Sequence, residues 1–149
     1  MSEGWLSGSC FCKKNAFEIK GPWAFNVNCH CTICQRLHGA PYAHHIGSKP
    51  ENFRFTSGGS VENGDLKQVQ ATKDNSRYHC GECGSPVYSD IPNFAKDVPY
   101  SLLERDEKGA TKANLPAECH IFYENRAIDV NDKLPKWTGF PGGSTLIEE

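Results

Sequence analysis

Cysteine placement constrains this chain more than any other feature. Seven of its eight cysteines fall in three tight clusters: Cys10-x-Cys12, Cys29-x-Cys31-x-x-Cys34 and Cys80-x-x-Cys83, with Cys119 apart. Scattered core thiols do not cluster this way. Thiolates one or two residues apart can converge on one point, which suits a soft tetrahedral ion, above all zinc. An even count also leaves disulfides open. The N-terminus, MSEGWLSGSC, lacks the basic segment and apolar run of a secretory signal. The expected compartment is therefore the reducing cytoplasm, where clustered cysteines bind metal or do chemistry.

The 149 residues fit one domain, placed at 1–149. Charged residues make up 23 % and the net charge is −2, so no basic surface points to nucleic acid. No apolar run approaches the length of a membrane span. Turn-forming residues punctuate the chain about every 8–12 residues, as in "GSKPEN" at 47, "SGGS" at 57 and "NGD" at 63. The short runs between them predict strands at 16–20, 42–47, 53–56, 67–72, 77–80, 86–89, 100–104 and 119–124. A short helix is predicted over 32–37, with Gly39 ending it. This is a mainly β chain whose short strands would need metal sites to organise the core.

The segment "CGECG" at 80–84 has the form of a zinc knuckle, with Gly84 permitting the conformation at the turn's end. It supplies two ligands and needs two more. Cys10 and Cys12 can provide them, closing a structural site of four thiolates. Cys29, Cys31 and Cys34 remain, and three protein ligands with an exchangeable fourth is the layout of a catalytic zinc. Two such sites make two zinc ions per chain. Cys119 either closes the second site as a fourth thiolate or is a buried core thiol.

The ordered segments "GSCFC", "CHCTICQRLHGAPYA", "CGECGSPVY" and "HIFYENRA" with "KLPKW" resemble the glutathione-dependent formaldehyde-activating enzyme family, whose domain is shared with centromere protein V. The resemblance spans about residues 8–137. It implies an Mss4-like fold of small antiparallel sheets organised around zinc, with one or two short helices. It implies a structural zinc on Cys10, Cys12, Cys80 and Cys83 and an active one on Cys29, Cys31 and Cys34. It also implies carbon–sulfur lyase activity on S-hydroxymethyl-glutathione or a related thiol adduct, with glutathione or its adduct as partner molecule. Cys119 lies outside the recognised pattern. The alternative is a non-enzymatic zinc module that binds a protein.

Lyase chemistry needs a group to move the adduct's hydroxyl proton. His30, His38, His44 and His45 lie near the second cluster in sequence, and His120 matches a family position. His30 sits between two ligands and is expected to point away from them as a turn or surface residue. His44 and His45 alternate on a predicted strand, so at most one faces the site. Glutathione's carboxylates need cations, and Arg36, two residues past Cys34, is the candidate. Thr32, Gln35 and donors at the helix start are weaker ones. Tyr42, Phe53 and Trp137 are candidates for the pocket wall.

Overall fold

The computed structural model describes residues 4–148; the domain ends expected at 1 and 149 lie outside the described residues. In chain order the elements are β1 (Leu6–Ser9), β2 (Ala16–Ile19), β3 (Trp23–Cys29), α1 (Thr32–His38), β4 (Ala43–Ser48), β5 (Phe53–Ser57), β6 (Leu66–Thr72), β7 (Asn75–Cys80), β8 (Pro86–Ile91), β9 (Ala95–Pro99) and β10 (Cys119–Ile121). Short 3-10 turns lie at Pro50–Asn52, Tyr100–Leu102 and Tyr123–Asn125. The chain is mainly β, as its turn spacing predicts. The described residues form two compact units. One runs to Phe25 and resumes over Ile46–Asn114; the other takes Asn26–His45 and continues from Leu115.

In the first unit, β1, β2 and β5 form an antiparallel sheet with β2 in the middle. Strand β2 shows why: Phe17 and Ile19 are buried, while Glu18 faces out and accepts from Arg54 at 2.7 Å and 2.9 Å. This is the period-two alternation of a half-buried strand. Strands β6 to β9 form an antiparallel meander. Aromatic rings join the two layers of this unit. Tyr78 stacks on Tyr88 with centroids 4.6 Å apart, Phe53 stacks on Tyr88 at 5.1 Å, and Phe55 meets both Phe53 and Tyr88 edge-on. Offset or edge-on pairing is the favoured geometry for such rings.

In the second unit, β10 runs parallel to β3, with Cys119 opposite Val27, His120 opposite Asn28 and Ile121 opposite Cys29. The ladder continues one step further through His30 N–H to the Ile121 carbonyl at 3.0 Å. The second cysteine cluster thus begins where a parallel ladder ends. Helix α1 follows at once. Gly39 terminates it at φ 60, donating its N–H to the Gln35 carbonyl, a left-handed cap that glycine adopts without strain.

Two predicted strands are corrected. Residues 100–104 do not form a strand: Tyr100–Leu102 closes a 3-10 turn with Leu103 N–H on the Tyr100 carbonyl at 3.1 Å, and the extended Leu103 makes an isolated bridge to Gly8. The run at 119–124 stops at Ile121, where Phe122 takes φ 53 and turns the chain into Tyr123–Asn125. Strands β1, β3 and β9 were not among the predicted ones. Strand β9 reads as polar because of Asp97, which is buried and accepts from Ser89 Oγ at 2.5 Å.

The knuckle turn at 80–83 is built against backbone. A Cβ at Gly81 would run into the carbonyl oxygen of Gly64, and Gly81 N–H already donates to the Asp65 carbonyl at 2.8 Å. Gly81→Ala is expected to destabilise the fold by about 1–3 kcal/mol. Thermal unfolding of the metal-loaded protein checks this; an unchanged midpoint would contradict the packing described.

Candidate metal centres

In the first unit, Cys10, Cys12, Cys80 and Cys83 bring their sulfurs within 4.8 Å of one another. Cys10 and Cys12 Sγ are 3.7 Å apart, and Cys12 and Cys80 Sγ 3.6 Å. These separations decide between the two readings of the cysteines. A disulfide needs about 2.05 Å. Four thiolates around zinc at about 2.3 Å stand about 3.8 Å apart along each tetrahedral edge. All eight cysteines are free thiols. Backbone amides point at the sulfurs: Asn15 N–H donates to Cys10 Sγ, and Glu82 and Cys83 N–H to Cys80 Sγ, each at 3.4 Å. Such donors stabilise sulfur in its charged form.

Asn15, fully buried, ties this centre together. Its side-chain amide donates to the Asp65 carbonyl at 3.0 Å, and its Oδ1 accepts from Gly59 N–H at 2.8 Å. The Asp65 carbonyl also receives Gly81 N–H. One carbonyl therefore serves both ligand loops. Sequence reading missed Asn15, which carries no metal-ligand signature of its own.

In the second unit, Cys29, Cys31 and Cys34 form a three-thiol group. Cys29 closes β3. Cys31 caps α1, its Sγ accepting Cys34 N–H at 3.3 Å, and Cys34 is buried on the first turn. Packed without a cation, the thiols share protons unequally. Cys31 and Cys34 push the Cys29 thiol far up, while hydrogen bonds from Cys29 and Cys31 draw Cys34 down. A divalent cation removes that conflict, because every ligating thiol is then deprotonated. Both donor sets fit zinc.

Cys119 is not part of this group, although it is buried in the neighbouring strand; burial pushes its thiol up. His45 is buried with Nε2 3.8 Å from Cys34 Sγ, yet it does not approach all three sulfurs within 4.8 Å. It stands beside the group as a partner of Cys34. His44 is directed elsewhere, its Nε2 2.5 Å from Asn26 Oδ1, and burial followed by His45 lowers it to about 4. His38 meets His45 edge-on at 5.1 Å.

His30 departs from the surface position expected of it. It is fully buried, stacked on Tyr42 at 4.7 Å and edge-on to Tyr123 at 4.9 Å. Burial and then His120 push it down to about 4, so it is neutral at neutral pH. His120 is also fully buried and reaches His30 rather than the sulfurs. Gln35 pins this region, donating to the His30 carbonyl at 2.6 Å and the Asn125 carbonyl at 2.9 Å. Arg36 is exposed and sits about 200° around the helix from Cys34, so it does not join the group. Thr32 is exposed as well. Phe53 belongs to the aromatic stack of the first unit, and Trp137 is half-buried and hydrogen-bonds β10 through His120.

The family model described as glutathione-dependent formaldehyde-activating enzyme matches residues 5–125. The chain belongs to this family. A crystal structure of a Rhodobacter sphaeroides protein matches at 20 % identity with a TM-score of 0.54, covering 69 % of this chain and 93 % of that one. At that identity the likeness speaks for the fold. The match to the formaldehyde-activating family takes in all eight cysteines, His30, His45 and His120, and it ends before residue 126.

The purified protein is expected to hold two zinc ions per chain by elemental analysis. Cys83→Ser and Cys34→Ser should each lose one, and Cys119→Ser should keep both. Loss of an ion from the Cys119 variant would make Cys119 a ligand.

Proposed function

We propose that the chain is a zinc-dependent carbon–sulfur lyase acting on an adduct of glutathione or another thiol, such as S-hydroxymethyl-glutathione, and that residues 1–149 work as a single domain of this family in the reducing cytoplasm. The observation that carries the reading is the contrast between the two centres. One gathers four thiolates and the other three, with Cys119 outside it. A filled set suits a structural ion, and a set of three suits one that takes a further ligand. The family match supports the substrate class, and eight free cysteines support the compartment.

Zinc held by Cys29, Cys31 and Cys34 would supply Lewis-acid stabilisation of the thiolate that the adduct's sulfur becomes. In the cleavage the C–S bond breaks, sulfur keeps the electron pair, the hydroxyl proton passes to solvent water and a carbonyl forms. Cys34 is held for this by the hydrogen bond its backbone N–H donates to Cys31 Sγ and by His45 beside its sulfur. Gln35 fixes the ligand loop through the His30 carbonyl. His120, which does not reach the sulfurs, acts through His30 as a positioning residue.

A second reading, a protein-binding zinc module, has its own support. Phe11 stands 87 % exposed between Cys10 and Cys12. Large exposed aromatics are common anchors of protein contacts.

Cobalt substitution separates the two. Glutathione at millimolar concentration is expected to change the absorption of cobalt bound by Cys29, Cys31 and Cys34 and to leave the four-thiolate centre unaffected. S-hydroxymethyl-glutathione should be cleaved, with activity lost in Cys31→Ser. An unresponsive second centre and no cleavage would favour the module.

A further inference from the structure

The histidine between Cys29 and Cys31 begins a chain of hydrogen bonds. His30 Nε2 lies 2.8 Å from His120 Nδ1, and His120 Nε2 lies 2.8 Å from Asp132 Oδ2. Lys136 anchors the carboxylate. It is 4 % exposed and places Nζ 3.1 Å from Asp132 Oδ1, donating also to the carbonyls of Asp132 and Leu134 at 3.1 Å. Burial alone would raise Asp132; the hydrogen bonds from His120 and Lys136 outweigh it and keep the carboxyl below its ordinary value. Asp132 and Lys136 both lie beyond the segment that matches the family.

Donor and acceptor rules give this chain a direction. An ionised carboxylate only accepts, so His120 carries its proton on Nε2. Its Nδ1 is then bare and accepts from His30 Nε2–H. That leaves His30 Nδ1 bare as well. This atom is buried and has no hydrogen-bond partner among the described residues. The reverse order would bury an imidazolium at His120 and strand an N–H on His30 Nδ1. Burying a charge is costly, and an orphaned buried N–H is rarer than an under-used acceptor. Tyr42 and Tyr123 hold the His30 ring from its face and its edge.

We propose that Asp132, acting through His120, locks His30 in the tautomer with a bare Nδ1, and that this buried lone pair accepts a hydrogen bond from the hydroxyl of an adduct held at the Cys29–Cys31–Cys34 centre. The second half rests on the lyase reading; the first does not. Asp132 and His120 are positioning residues, and His30 is the group that meets the ligand. Fixing one bare nitrogen favours ligands that carry a donor near the sulfur, since they satisfy an acceptor that is buried and empty without them.

Nitrogen NMR of the zinc-loaded full chain, with histidine side chains labelled, reads this directly. His30 Nδ1 is expected in the unprotonated range and Nε2 in the protonated range. Asp132→Asn, whose amide can donate to His120 Nε2, should reverse both rings and place the proton on His30 Nδ1, and Asp132→Glu should restore the original pattern. A protonated His30 Nδ1 in the unaltered protein overturns the relay, and so does a tautomer indifferent to Asp132→Asn. If that variant does not fold, the unaltered protein's spectrum still decides the tautomer. Glutathione with formaldehyde should shift His30 Nδ1 towards the hydrogen-bonded range. An unshifted signal at concentrations that perturb the metal centre overturns the acceptor role. A shifted signal without any cleavage would sink the lyase reading and leave the relay standing, and no response at either place sinks the lyase reading and the acceptor role together, while the ligand-free spectrum decides the relay.

Discussion

Crowded sulfur is the constraint that the rest of the molecule answers to. Thiols less than 4 Å apart cannot all be ionised without a cation, and metal binding in such a set is also folding free energy. The backbone is arranged around that fact. Amides of Asn15, Glu82, Cys83 and Cys34 are spent on sulfur rather than on regular ladders. Gly81 leaves out a side chain so that the knuckle can rest on Gly64 and Asp65. Short strands then suffice, because the cysteine clusters fix the loops that longer strands would otherwise have to hold.

The two centres are supported differently, and their supports suit different work. Around Cys10, Cys12, Cys80 and Cys83 the supporting groups are backbone amides, the buried side-chain amide of Asn15 and the Ser85 hydroxyl at Cys83. None of these is an acid or base near neutral pH. Around Cys29, Cys31 and Cys34 the neighbours are imidazoles: His45 at a sulfur, and His30 leading to His120 and Asp132. Imidazole is the side chain whose hydrogen-bonding role depends on which nitrogen holds the proton. Outer groups of this kind commonly set the orientation and basicity of a metal site.

Local pattern was legible in the chain; long-range pairing was not. Helix α1 could be read from Thr32 and Gly39, and β2 from its alternation, since both signals lie within a few residues. Strand β3 hides between Gly21-Pro22 and the cysteines, and β9 hides because its inward Asp97 is satisfied by Ser89. The grouping of cysteines followed from spacing, whereas the partners of His30 did not: His120 is 90 positions away and Asp132 is further. A histidine between two ligands reads as a surface turn residue until its burial is known. Arg36 is the converse case: closeness in sequence to Cys34 does not make it part of the three-thiol group, because two helical residues turn it about 200° away.

The parallel pairing of β3 with β10 bears on the order of synthesis. Cys29, Cys31 and Cys34 leave the ribosome well ahead of their frame: the strand that lies against Cys29 and the carboxylate that orients His30 come more than 80 residues later. The four-thiolate centre can close once Cys83 has emerged, well before that. A nascent chain therefore carries its three-thiol segment unframed while those intervening residues are added. The frame around that segment is complete only after β10 and Asp132 have been added, and long-range closure of this kind is the slow part of assembly.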